Sequence, residues 1–137
     1  MTHVSPTKLI EAAIASGDPE RLEDVIAQLA ALKSDEAIDA LNALLLDPNH
    51  RCHQIVARAL QKIRSPSTIP FVRQVLLSDL SVFDYTCSES DVIAKWFSWL
   101  LADIGTNEAI DVIRELCSSP DPGIQEEMRY RLARVER

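Results

Sequence analysis

Glycine and aromatic residues are scarce in this chain of 137 residues, with three glycines and only 5% Phe, Tyr and Trp combined. Sheets rely on β-branched and aromatic positions and on glycine-bearing turns, so both shortages disfavour a sandwich or a barrel. Cysteine is limited to Cys52, Cys87 and Cys117, odd in number, far apart and in no CxxC arrangement. That excludes a disulfide framework and a thiolate metal site. Basic residues are outnumbered, 14 Lys and Arg against 21 Asp and Glu, and the resulting charge of -7 opposes a phosphate-binding role. The expected partner is a protein or peptide, neutral to basic, and not a nucleic acid. No run approaches the roughly 18 apolar residues of a membrane span. The opening MTHVSPTKLIEAAIASGDPE lacks the uninterrupted apolar core of a signal peptide. The expectation is a soluble, cytoplasmic protein with no membrane partner.

Repetition is what the chain does have. Asp35 to Pro48 reads DEAIDALNALLLDP and Asn107 to Pro120 reads NEAIDVIRELCSSP, with Glu, Ala, Ile, Asp, Leu and Pro in matching places. A repeated helical unit cannot cover its own apolar face, so units stack, and the stacked edge becomes an extended surface for a partner. The 47% hydrophobic content rests on Leu, Ile, Val and Ala, and the length suits one domain over 1–137 with a sizeable core.

Helix follows helix with a breaker between each pair, and strand alternation is absent. Ser5-Pro6 opens a helix to about Ser16, and Gly17-Asp18-Pro19 supplies a stop, an N-cap and a first-turn proline for the next. That second helix carries Leu22, Val25, Ile26, Leu29 and Leu32 as one apolar stripe. Ser34 caps a third with Ile38, Leu41, Leu44 and Leu45, which Asp47-Pro48-Asn49 ends. The fourth holds Cys52, Ile55, Val56, Ala59, Leu60 and Ile63, with Cys52 and Cys117 as small core residues. After Ser65-Pro66-Ser67 the fifth holds Ile69, Val72, Val75 and Leu76. The sixth, capped by Ser90 or Asp91, holds Ile93, Trp96, Phe97, Leu100, Leu101 and Ile104 and stops at Gly105. Thr106 or Asn107 caps the seventh, with Ile110, Ile113 and Leu116, and Pro120-Asp121-Pro122-Gly123 precedes an eighth with Ile124, Met128, Leu132 and Val135. The pattern predicts an all-α chain of eight helices in about four antiparallel hairpins.

The repeat register can be checked internally. Ile38, Ile69 and Ile110 line up at shifts of 31 (69 minus 38) and 41 (110 minus 69). The same two shifts bring Cys52 onto Ile93 and Ile124, Val56 onto Phe97 and Met128, and Leu60 onto Leu101 and Leu132. The second helix joins at a shift of 30, so the units run over about 5–33, 34–64, 67–105 and 106–136. The longer interval places an insertion near 78–90, SDLSVFDYTCSES, between the paired helices of the third unit.

The run LLLDPNHRCHQIVARALQKIRSPSTIPFVRQVL and its echo IAKWFSWLLADIGTNEAIDVIREL resemble HEAT repeats of the short bacterial type, also called phycobilisome-lyase HEAT-like repeats. The resemblance is carried by Asp47 with Arg51, by Ala57, Ala59 and Leu60, and by Ile104-Gly105 followed by Glu108-Ala109-Ile110. It covers about Ser34 to Glu136, and less clearly the first two helices. Lys62-Ile63-Arg64 lacks the glycine of the usual join, and Val92 and Gly123 stand where the family pattern would place an arginine. The resemblance implies a right-handed α-solenoid that acts as a non-catalytic, protein-binding scaffold or adaptor, with the second helices lining a concave face. A few members of the family are bilin lyase subunits or nucleic-acid repair enzymes.

Position 58 lies about 200° from 56 and from 60 around a helix, away from the core. Its repeat equivalents are Gln28, Trp99 and Tyr130, giving a column of Gln, Arg58, Trp and Tyr along one face. Trp, Tyr and Arg dominate binding energy at interfaces, so this column is the first candidate for a partner surface. Lys95, with Gln54 and Glu126, occupies the neighbouring outward position, followed by Gln61, Ala102 and Ala133. Trp99 either faces a partner or packs beneath the inserted segment or a neighbouring helix. The insertion is the second candidate: Phe83 and Tyr85 alternate with acidic residues and either anchor a basic partner or cover the groove left by the longer repeat. Glu36 with Asp39 and Glu108 with Asp111 read as a solvated face at first-helix N-termini.

His50, Cys52 and His53 are close in sequence, yet a structural zinc site needs four protein ligands and the remaining histidine is the distant His3. No phosphate-cradling glycine loop, nucleophile elbow or His-Glu zinc motif is present, so no cofactor, metal or catalytic residue is expected. Besides an adaptor, a small acidic chain suits an inhibitor, such as an immunity protein that neutralises a basic toxin through charge-steered association. A bilin lyase subunit is a more remote reading. A homodimer through Trp99 or Phe83 is the further partner class that the pattern allows.

Overall fold

The computed structural model describes residues 4–136. It is an all-helical α-solenoid with α1 (Pro6–Ser16), α2 (Pro19–Leu32), α3 (Asp35–Leu44), α4 (His53–Ile63), α5 (Ile69–Leu77), α6 (Ser90–Ile104), α7 (Asn107–Leu116) and α8 (Pro122–Val135). Two 3-10 turns, Pro66–Thr68 and Ser81–Thr86, complete the regular structure among the described residues. Successive helices pack as hairpins. Across hairpins α2, α4, α6 and α8 lie side by side, while α1 meets α3, α5 meets α7, and α3 reaches the next unit through the turn at Pro66–Thr68.

Local chemistry explains the helix ends. Ser34 Oγ accepts from Ala37 N–H at 3.2 Å and Thr106 Oγ1 accepts from Ala109 N–H at 3.2 Å, two N-caps at equivalent repeat positions. Asp121 caps α8 by accepting from Gly123 and Ile124 N–H. Gly17 and Gly105 end α1 and α6 in the left-handed region at φ 72° and 70°. Lys33 and Arg64 adopt the same conformation at the ends of α2 and α4, at φ 54° and 61°, so the join without glycine keeps the glycine geometry at some cost in Cβ strain. The cap of α6 is Glu89, not Ser90 or Asp91, because Ser90 Oγ is committed to donating to Asp121 Oδ1 at 2.7 Å. Gly123 lies against that same point. A Cβ there would sit 2.3 Å from Ser90 Oγ and 2.7 Å from Asp91 N, so an arginine at this position would collide with the start of α6.

The core is one contiguous cluster between the two helix layers, from Ile10 and Ala13 to Ile124 and Met128. Two residues assigned to apolar stripes face out instead: Leu32, in the last turn of α2, is 65% exposed and Ile55 is 37% exposed. Polar groups within the core are paired. Asn42 Oδ1 accepts from Thr68 Oγ1 at 2.7 Å, tying α3 to the turn before α5.

The segment between α5 and α6 closes over the α3–α4 connection. Phe83 has no exposed surface and meets Phe97, Trp96 and His53 edge-on, with ring centroids 5.9, 6.2 and 5.2 Å away. His50 and His53 stack at 3.9 Å. Cys52 N–H donates to His50 Nδ1 at 3.0 Å, which leaves the proton on Nε2 to be donated to the Leu44 carbonyl at 2.7 Å. His53 Nε2–H donates to the Asp47 carbonyl at 2.8 Å, and its Nδ1 accepts from the Tyr85 hydroxyl, also at 2.8 Å. The Tyr85 oxygen in turn accepts from His53 N–H at 3.0 Å.

Both rings are therefore held neutral, with all four nitrogens used. Burial is the main cause that lowers both pKa values, and with the neighbouring His50 it takes His53 down to about 4 from 6.5. A base with a depressed folded pKa is protonated first in the unfolded chain. Its contribution to stability is complete above pH 6.5 and is lost as pH falls from 6.5 towards 4, by about 3 kcal/mol for His53 alone. Urea unfolding at pH 7.5 and 4.5 should show this loss, and His53→Gln should be less stable at pH 7.5 yet lose less on acidification. An equal loss in both proteins would contradict the assignment.

Candidate functional site

The second-helix layer carries the outward column. Val56, Phe97 and Met128 have no exposed surface, whereas Gln28 and Arg58 are exposed and Trp99 and Tyr130 are 46% and 49% exposed. Trp99 is thus half exposed while it packs in part against the neighbouring helix α8. Three adjoining grooves run along this layer. Between α2 and α4 a groove of about 510 Å³ is floored by Ala27, Ala30, Ile55 and Ala59 and edged by Arg58. Between α4 and α6 one of about 350 Å³ is lined by Gln54, Arg58, Gln61, Lys95, Trp96 and Trp99. Between α6 and α8 one of about 460 Å³ is lined by Lys95, Trp99, Tyr130 and Arg131 with Asp91, Glu126 and Glu127. Arg58 borders the first two, and Lys95 and Trp99 border the second two, so the grooves form one surface with shared walls.

Trp99 is held by its neighbours on α8. The Arg131 guanidinium carbon lies 3.8 Å from the ring centroid, a cation–π stack, although Arg131 itself is only 4% exposed. Its charge is met by Glu127 Oε1 at 3.4 Å, and Ser98 Oγ donates to the same oxygen at 3.0 Å. Farther along, Arg134 lies over the Tyr130 ring, 3.2 Å from centroid to guanidinium carbon. The result is a ladder in which cations and rings alternate: Arg134, Tyr130, Arg131, Trp99. Gln61 Nε2 donates to Asp103 Oδ2 at 2.7 Å and ties α4 to α6 at the foot of the middle groove.

Of the residues expected to touch a partner, Arg58, Lys95, Trp99 and Tyr130 share this surface. Phe83 does not, and the expectation for it is corrected: its ring is core, filling the space that the longer repeat opens between α4 and α6. Tyr85 is half-buried with its hydroxyl engaged by His53, and Arg51 lies 5.9 Å from its ring centre. It stands on the loop side of the hairpins and is not among the residues lining the three grooves. Sequence reasoning missed Arg131. Its signal was available as Glu127 and Arg131 at i, i+4, which places an ion pair next to the column. A charged pair at this spacing usually marks solvent, and that obscured it.

No described helix is long and apolar enough to cross a membrane. A family model for HEAT repeats matches residues 6–84, more than half of the 137 residues. No curated protein and no solved structure shows a significant match.

The buried Arg131 and Glu127 side chains, 5% and 11% exposed, form a pair whose separation is costly. Glu127→Ala should destabilise the chain by about 3 kcal/mol, because it strands the guanidinium, whereas replacing both residues with Leu and Met should cost much less. A double-mutant cycle by urea unfolding checks this. Additive losses would show the two groups to be independent.

Proposed function

This chain belongs to the HEAT-repeat family, and from that premise we propose that it is a non-catalytic module that holds a protein or peptide partner along the exposed face of α2, α4, α6 and α8. HEAT repeats generally mediate protein–protein interaction, and the family is typically non-catalytic. The observation that carries the reading is the continuity of the three grooves around Arg58, Lys95 and Trp99. Large, half-exposed aromatic and arginine side chains set between polar rims supply the anchors from which interfaces draw most of their energy. We place the repeat units at about 5–33, 34–64, 67–105 and 106–136, so that each contributes one outward residue to the column.

The chain's charge of -7 favours one variant of this function. A small acidic module steers a neutral or basic partner into rapid encounter, as an inhibitor or immunity protein needs. In that variant association slows steeply with added salt; in a general adaptor it changes little.

A photo-reactive phenylalanine analogue placed at Gln54 or Glu126, on the second-helix face, should give covalent partner adducts in the native cell. The same group at Asp39 or Gln74, exposed on α3 and α5, should give none. Adducts from the α3 and α5 positions alone would contradict the reading.

A further inference from the structure

The two grooves that meet at Trp99 differ in charge. The α6/α8 groove contains three carboxylates, Asp91, Glu126 and Glu127, against Lys95 and Arg131. The α4/α6 groove contains Arg58 and Lys95 with Gln54 and Gln61, and no carboxylate lines it. Asp103 is the acid bonded to this wall, and its Oδ2 is taken by Gln61 Nε2. In a chain of net charge -7, two cations beside an open tryptophan with no acid among the lining residues run against composition.

Arg131 narrows what can occupy the ring. It covers Trp99 at 3.8 Å and lines the α6/α8 groove, so the guanidinium sits on the α8 side. A second cation approaching the opposite face would meet the field of the first across the ring. An apolar side chain would not, and an anion beside it would find two donors on Arg58 and Lys95. Charged donors to a carboxylate form the stronger class of hydrogen bond.

We infer that the α4/α6 groove receives an acidic peptide segment, with an apolar side chain on the open face of Trp99 and an adjacent Asp or Glu held by Arg58 and Lys95. The inference rests on the binding-face reading above and specifies its contact chemistry. A partner's overall charge and the charge of its inserted segment are separate quantities. The field of the whole chain acts on the first during approach, and Arg58 and Lys95 act on the second after docking.

The test is selection from a random peptide library displayed on phage, against the immobilised 137-residue chain. Enriched peptides are then measured by fluorescence anisotropy on wild type, Trp99→Ala, and Arg58→Glu with Lys95→Glu. All three altered residues are exposed. Enrichment of Asp or Glu next to an apolar residue, with affinity reduced about tenfold or more in each variant, is the expected result. Basic peptides whose binding is lost with Trp99→Ala would overturn the acidic segment and leave the binding face standing. No enrichment, or peptides that bind both variants like wild type, would overturn both. Saturable binding of a short oligothymidylate, abolished by Arg58→Glu with Lys95→Glu, would assign the groove to nucleic acid and overturn the inference.

Discussion

The stacking of α4, α6 and α8 rests on burial of one apolar stripe from each helix in a common core, where the repeat-equivalent Val56, Phe97 and Met128 have no exposed surface. A helix with one apolar stripe has to be covered, and here the neighbouring hairpin supplies the cover. Two residues further along each helix the side chain points to the opposite side, which places Arg58, Trp99 and Tyr130 in a row. Core stripe and open column are one repeat seen from two sides. The grooves are the spaces between these stacked helices, so the column's spacing follows from the packing of the core.

Polar groups are admitted to this packing only in pairs, and no buried side-chain nitrogen or oxygen among the described residues lacks a partner. Asn42 with Thr68 joins the first-helix layer, and bidentate contact of Arg73 with Glu115, at 2.8 and 2.7 Å, joins α5 to α7 on its surface. Ser98, Glu127 and Arg131 join α6 to α8 and at the same time present a guanidinium to Trp99. One buried network thus links fold and site. It sets the spacing of two helices and decides which face of the indole remains open.

Repetition, helix count and the outward column were readable from sequence because each depends on spacing within one or two turns. Ser34 and Thr106 reveal their caps for the same reason. The conformation between α5 and α6 was not readable, since it depends on His53 meeting Tyr85 across 32 residues. Phe83 carried the misleading signal: an aromatic among acids resembles a surface anchor, while its neighbours Trp96 and Phe97 lie on the far side of the chain reversal. Left-handed backbone at Lys33 and Arg64 was likewise hidden, because neither residue type favours it and only the repeat register demands it.

The central claim is that an acidic protein keeps one open tryptophan on the edge of a groove lined by two cations and no carboxylate. Replacing Trp96 with Phe leaves Trp99 as the single indole, and its fluorescence can be quenched with iodide and with caesium. With each quenching constant divided by that of free N-acetyltryptophanamide, the account predicts a larger relative value for iodide than for caesium despite the chain's charge of -7. A larger relative value for caesium, or resistance to both ions, would contradict it.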